Sequence, residues 1–196
     1  MLAVKAGADA IGLVFYEPSP RYVDIQRAAG IAAVIPPFVS IVALFVNASA
    51  DQVNAVLSRV PVSLLQFHGD ESAAFCEHFQ RPYIKALRMK PGVDVQAVCA
   101  EYASAQGILL DAYRKGVPGG TGECFDWQSI PQALNQPIVL AGGLHPANIA
   151  AAIAAVNPVA VDVSGGVEAS AGVKDSQRVI EFINQVYLAD MAEHKQ

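Results

Sequence analysis

The sequence predicts an α/β domain built as a parallel TIM (β/α)8 barrel, and three observations carry that expectation. Seven short apolar runs recur along the 196 residues, with amphipathic stretches between them. The runs are nearly continuous in apolar character, as parallel strands are when helices cover one face and side chains fill the other. The last two runs each end in a glycine-rich turn, and barrels of this class commonly hold a phosphate on the loops after their seventh and eighth strands.

The elements follow in order. Residues 1–7 read as the second half of a helix that stops at Gly7, in a C-terminal cap. Strand runs are expected at 10–15, 41–46, 64–67, 83–87, 107–110, 137–140 and 159–163. Helices are expected at 51–60, 71–79, 146–156 and 175–186, with Asp70 placed as an N-cap and Pro146 where a first helical turn accepts proline. Seven strands are one fewer than a closed barrel of this kind needs. The expectation is therefore one barrel domain over 1–196 with its first β-strand and part of its first helix missing, leaving two sheet edges that weaken the fold or draw in another chain. An open doubly wound sheet needs no eighth strand. The candidate functional residues, however, fall after many different strands, which suits a ring of loops around one mouth.

Composition narrows the function classes. A chain that is 53% hydrophobic and 16% charged has the balance of a compact enzyme. Its net charge of −5 offers no basic surface for nucleic acid or an anionic membrane, so an anion must be gripped locally. The apolar runs end after about seven residues, too short to span a bilayer. Cys76, Cys99 and Cys124 are odd in number, without CxxC spacing or clustered histidines, which argues against a disulfide framework or a zinc site. The reading is a cytoplasmic protein with a small-molecule substrate and no metal, as a monomer or a homodimer.

The two turns, Leu140-Ala141-Gly142-Gly143-Leu144 and Asp162-Val163-Ser164-Gly165-Gly166, let the backbone approach an anion closely. Asp111 ends its apolar run, so its carboxylate belongs at the mouth; the plain alternative is a turn-forming aspartate. Arg21, after the first run, suits a substrate carboxylate through its forked guanidinium, and an exposed arginine without that task is the alternative. His68 is placed to donate near the pocket, or serves only its turn. The segment 113–124 carries Gly116, Gly119, Gly120 and Gly122 around Thr121, a density that suits a loop folding over ligand. Asp162 and Ser164 are positioned to meet a sugar or to satisfy local backbone donors. Lys174-Asp175 reads as a helix cap beside a solvated charge.

Six segments in order resemble the phosphoribosylanthranilate isomerase family. They are Gly7-Ala8-Asp9-Ala10-Ile11-Gly12, Ser19-Pro20-Arg21, Gln66-Phe67-His68-Gly69-Asp70, Gly119-Gly120-Thr121-Gly122 with Phe125-Asp126-Trp127, Leu140 to Leu144, and Val161-Asp162-Val163-Ser164. The resemblance implies a (β/α)8 barrel of tryptophan biosynthesis that uses no metal or organic cofactor. The implied reaction is an Amadori rearrangement, in which the ribosyl ring opens to an imine and C2 then loses a proton. Asp111 matches the general acid, Arg21 the anthranilate carboxylate contact, and Gly142, Gly143, Ser164 and Gly165 the phosphate cradle. Gly120 and Thr121 match the covering loop, while His68 and Asp162 are counted with the substrate contacts.

Two departures follow from the same resemblance. The family's general base is a cysteine in a Lys-Ile-Cys-Gly type segment, and none of Cys76, Cys99 or Cys124 occupies that place. The expectation is little turnover by this chain alone. Gly165 stands where the family more often has a second serine, which removes a hydroxyl donor worth about 1 kcal/mol. The competing reading is a non-catalytic or different phosphate-binding barrel, such as one resembling indole-glycerol-phosphate synthase. That reading calls for catalytic lysines at strand ends, and Lys85 is the only lysine inside an expected strand.

Overall fold

A computed structural model describes residues 1–112, 126–131 and 133–193, which divide into two units. Unit 1 is Met1–Ala86 with Ser104–Gln106, and unit 2 is Leu87–Ala103 with Gly107–Gln196.

Unit 1 alternates helix and strand from its first residues. Helix α1 (Leu2–Ala6) closes at Gly7 in the left-handed region, φ 111°, where the cap N–H groups reach the Ala3 and Val4 carbonyls. Then come β1 (Ala10–Val14), α2 (Ile25–Ala32), β2 (Ser40–Phe45), α3 (Ala50–Leu57), β3 (Leu64–Phe67), α4 (Ala73–Glu77) and the start of β4 (Tyr83–Met89). β1 to β4 pair in parallel in chain order, with Phe45 opposite Phe67 and Phe67 opposite Lys85. The starts of α2 and α3 have local causes. Asp24 accepts the Arg27 N–H at 2.7 Å, and Ser49 and Gln52 form a reciprocal capping box.

The helix expected from residue 71 begins at Ala73, and its cap is Ser72 rather than Asp70. The reason is tertiary. Glu71 is buried and turned toward Lys85, and the Asp70 N–H is bonded to Asn47 Oδ1 at 2.7 Å, contacts that hold both residues in the loop before the helix. Packing in this unit centres on Phe67, fully buried among Phe45, Phe75, Phe79 and Tyr83 at centroid distances of 5.9 to 6.3 Å. Aromatic area at this depth stabilises the fold by about 2 to 3 kcal/mol per ring.

Unit 2 holds the end of β4, then α5 (Val95–Glu101), β5 (Gly107–Ala112), β6 (Ile138–Leu140), α6 (Ile149–Val156) and β7 (Ala160–Val161). A short hairpin, β8 (Glu168–Ser170) and β9 (Val173–Lys174), precedes the long helix α7 (Ser176–Glu193). β5, β6 and β7 are parallel neighbours, while β8 and β9 are antiparallel. Ile108, Leu109 and Leu110 are all buried, the two-sided burial that a continuous apolar run calls for.

Three expectations change here. The strand expected at 159–163 pairs only at Ala160–Val161, because the chain turns at Ser164 directly after the Asp162 N–H bonds the Leu140 carbonyl. Pro146 precedes α6 instead of opening it; Asn148 stands at the N-cap. The final helix runs to Glu193, beyond the 186 expected. Among the described residues β1 has one strand neighbour, β2, apart from an isolated Val14–Tyr22 bridge, and β7 has one, β6. No helix among the described residues is long and apolar enough to cross a membrane.

Candidate active site

In unit 2, parallel pairing puts the C-terminal ends of β5, β6 and β7 side by side, and six candidate positions fall there: Asp111, Gly142, Gly143, Asp162, Ser164 and Gly165. Asp111 is the next-to-last residue of β5 and is 7% exposed. Gly142 follows β6 after Ala141, with φ 77°. A Cβ on Gly142 would stand 2.7 Å from Asp111 Oδ1 and closer still to the Ala112 amide nitrogen, so only glycine lets this turn run against the carboxylate.

The second glycine turn touches the first. A Cβ on Gly166 would collide with the Leu144 carbonyl and come within 2.9 Å of His145 Cβ. Asp111, the Gly142-Gly143 turn and the Ser164-Gly165-Gly166 turn are thus consecutive neighbours in space. Asn148 shapes the first turn from within the chain: its Nδ2 donates to the Gly143 carbonyl at 3.0 Å, and its Oδ1 accepts the His145 N–H at 2.8 Å. Ser164 and Gly165 are half-buried at the start of the second turn, with Asp162 exposed just before it. Asn148 was not among the expected site residues; the signal available was an Asx side chain five positions after a glycine pair.

Arg21 and His68 belong to unit 1. Arg21 follows β1 in a turn tied by its own N–H to Ser19 Oγ at 3.1 Å. The Val14–Tyr22 bridge draws that turn back along β1. His68 follows β3, where its N–H bonds the Phe45 carbonyl at 2.8 Å. Gln66 Nε2 lies 3.2 Å from His68 Nδ1; with the amide donating, the neutral ring carries its proton on Nε2.

The loop that holds His68 is fixed by a buried ion pair. Lys85 Nζ reaches Glu71 Oε2 at 2.8 Å and the Gly69 carbonyl at 2.7 Å, and the two side chains are 6% and 3% exposed. Glu71 also accepts the Asn47 N–H at 2.7 Å and the Gly69 N–H at 2.9 Å. Lys85 is therefore engaged by this loop, an arrangement that accounts for a lysine inside a strand without catalytic work. Gly120 and Thr121 lie outside the described residues, as does Cys124.

Cys76 and Cys99 sit on α4 and α5, both buried. Burial pushes the Cys76 thiol up from 9.0 to about 12, against a smaller opposing pull from Lys85, and burial raises Cys99 as well. Neither supplies a thiolate near neutral pH. The folded state keeps the Cys76 proton that the unfolded chain gives up from about pH 9, so stability present below that value is lost as pH rises toward 12. Denaturant midpoints measured between about pH 8 and about pH 11 will fall less steeply in a Cys76→Ala protein than in the unaltered one.

The family model for N-(5'-phosphoribosyl)anthranilate (PRA) isomerase matches residues 1–185. The N-(5'-phosphoribosyl)anthranilate isomerase of Pseudomonas fluorescens (strain Pf0-1) is 61% identical over 186 residues, covering 95% of this chain and 91% of that protein. The crystal structure of phosphoribosyl anthranilate isomerase from Thermotoga maritima superposes with a TM-score of 0.87 at 37% identity, covering 95% of this chain and 91% of that one. A phosphoribosyl anthranilate isomerase crystallised with reduced 1-(o-carboxyphenylamino)-1-deoxyribulose 5-phosphate superposes with a TM-score of 0.83 at 36% identity, over the same shares of the two chains.

Proposed function

The chain belongs to the N-(5'-phosphoribosyl)anthranilate isomerase family, with its TIM-barrel type of fold, and from that premise we propose how its residues divide the isomerisation. The reaction has to move two protons. One goes to the ribose ring oxygen as the ring opens to an imine; the other leaves C2 and gives the ribulose form.

Asp111 is the acid for the first step. Its carboxyl is held against the Gly142 turn at the end of β5, and a proton donor must stand within hydrogen-bond reach of the oxygen it protonates. The single observation that carries the reading is this adjacency: the Asp111 carboxyl borders one glycine turn, and that turn touches the other. The amides of Gly142, Gly143, Ser164 and Gly165 take the phosphate, with Gly120 and Thr121 assigned to the loop that covers it. Backbone donors fixed by the fold bind an anion with little reorganisation. Asp162, at the entrance of the second turn, takes ribose hydroxyls. Arg21 takes the anthranilate carboxylate, and His68 donates from Nε2 to the substrate. The base for C2 is neither Cys76 nor Cys99, because both thiols are buried and held protonated.

These roles suit a cytoplasmic enzyme acting on a soluble sugar phosphate. The competing lysine-dependent chemistry is disfavoured by the Glu71 and Gly69 contacts that engage Lys85. The test has two readouts. The first is conversion of N-(5'-phosphoribosyl)anthranilate to 1-(2-carboxyphenylamino)-1-deoxyribulose 5-phosphate, which needs a C2 base that neither Cys76 nor Cys99 supplies, and the second is binding of the reduced product in competition with inorganic phosphate. If neither turnover nor binding is found, the assignment fails.

A further inference from the structure

Lys174 is read from the sequence as a solvated charge beside a helix cap, and the structure gives it a different position. Its Nζ donates to the Ser164 carbonyl at 2.8 Å and lies 3.0 Å from Glu168 Oε1. The Glu168 side chain is 5% exposed and that of Lys174 is 43% exposed, so a surface cation is anchored by a buried carboxylate. The β8–β9 hairpin sets this pairing, with Glu168 directly opposite Lys174 in the register. Two further bonds hold the hairpin to the start of α7: Arg178 donates to the Glu168 carbonyl at 2.6 Å, and the Asp175 N–H reaches the Val167 carbonyl at 2.8 Å.

The Ser164 carbonyl and the Gly165 N–H are the two ends of one peptide group. No cis peptide is found among the described residues, so in this planar trans unit the two point in opposite directions. A cation gripping the carbonyl on the hairpin side therefore aims the Gly165 N–H away from the hairpin. It also polarises the peptide, and a polarised N–H is a stronger donor. Glycine at 165 makes the grip consequential. Its backbone is the least restricted of any residue, so an unheld Ser164–Gly165 peptide rotates at little cost and would turn an oxygen toward an anion.

We propose that Lys174 is a positioning residue for phosphate binding, which by clamping the Ser164 carbonyl presents the Gly165 N–H to the substrate's phosphate. The proposal rests on the phosphate reading of this turn given above. It assigns the hairpin a function: β8 and β9 carry a charged brace from the tail of the chain to the back of an anion-binding peptide.

The test compares unaltered protein, Lys174→Met and Lys174→Arg, using the substrate and inorganic phosphate as a competing ligand. Lys174→Met keeps the stem and removes the charge, and its exposed end makes the change tolerable to folding. It is expected to raise KM about tenfold, and to weaken phosphate competition in parallel, while kcat stays within about twofold; loss of one charge-assisted hydrogen bond is of this size. Lys174→Arg reaches both oxygens and should recover most of the loss. Glu168→Gln, which loosens the anchor, should show the same split to a smaller degree. A brace with only a structural role would lower the unfolding midpoint and leave phosphate competition unchanged, and that result overturns the proposal. A fall in kcat at unchanged KM also overturns it. If inorganic phosphate does not compete even in the unaltered protein, the phosphate reading fails first and the proposal goes with it; if it competes equally in all four proteins, the proposal alone fails.

Discussion

Asp111→Asn is expected to lower kcat on the order of a hundredfold or more while the protein folds as before and still binds the reduced product within a few-fold of the unaltered affinity. Asparagine has nearly the same volume and keeps one acceptor oxygen, so a side chain that is 7% exposed at the end of β5 can be replaced without opening a cavity. What it cannot do is give a proton to the ribose ring oxygen. General acid catalysis contributes about 10² to 10⁴ in rate, and the whole of that contribution is at stake in one atom. Steady-state kinetics paired with calorimetry on the reduced product separates the two effects. A large loss of binding with unchanged kcat would move Asp111 from the chemistry to substrate recognition. A scaffold with no chemistry would show neither change.

Breaking the Lys85–Glu71 pair from one side is expected to have the largest effect on stability. Lys85→Met leaves the Glu71 carboxylate buried with its cation gone, and removal of one partner from a buried ion pair costs about 3 to 5 kcal/mol. Chemical denaturation at neutral pH measures it. The double variant Lys85→Met with Glu71→Leu removes the stranded charge and should regain a large part of the loss, since replacing both members of such a pair by apolar residues is often near neutral. It will not restore the loop. Glu71 also receives the Asn47 and Gly69 amides, and Lys85 holds the Gly69 carbonyl, so the double variant frees the segment that carries His68. Stability that returns while the substrate KM stays raised would mark the pair as a support for His68.

Much of the architecture was legible because parallel strands buried on both faces leave an unmistakable record. The runs around Ile108-Leu109-Leu110 and Leu64-Leu65 contain almost nothing polar, and no other arrangement of short segments requires that. The glycine turns were legible for a similar reason: Gly142 and Gly166 sit where a Cβ would meet neighbouring atoms, so the constraint is written in the residue itself. Local signals failed where a distant partner outweighed them. Asp70 has the right chemistry for a cap, but Asn47, 23 positions earlier, and the buried Lys85–Glu71 pair hold residues 70 and 71 in the loop, and the helix start passes to Ser72. Pro146 suits a first helical turn, yet Asn148 uses its side chain to close the preceding glycine turn and shifts the start of α6.

The amino-acid order alone determined the fold class, the approximate positions of the seven parallel strands though not the β8–β9 hairpin, and which residue types reach the ends of those strands, because these depend on periodicity and on the few residues that tolerate a given backbone. It did not contain the partners of its charged side chains. Lys85 with Glu71 and Lys174 with Ser164 are 14 and 10 residues apart, and a charge carries no mark of what it will meet. Only folding brings such groups within 3 Å, where burial makes the pairing decisive.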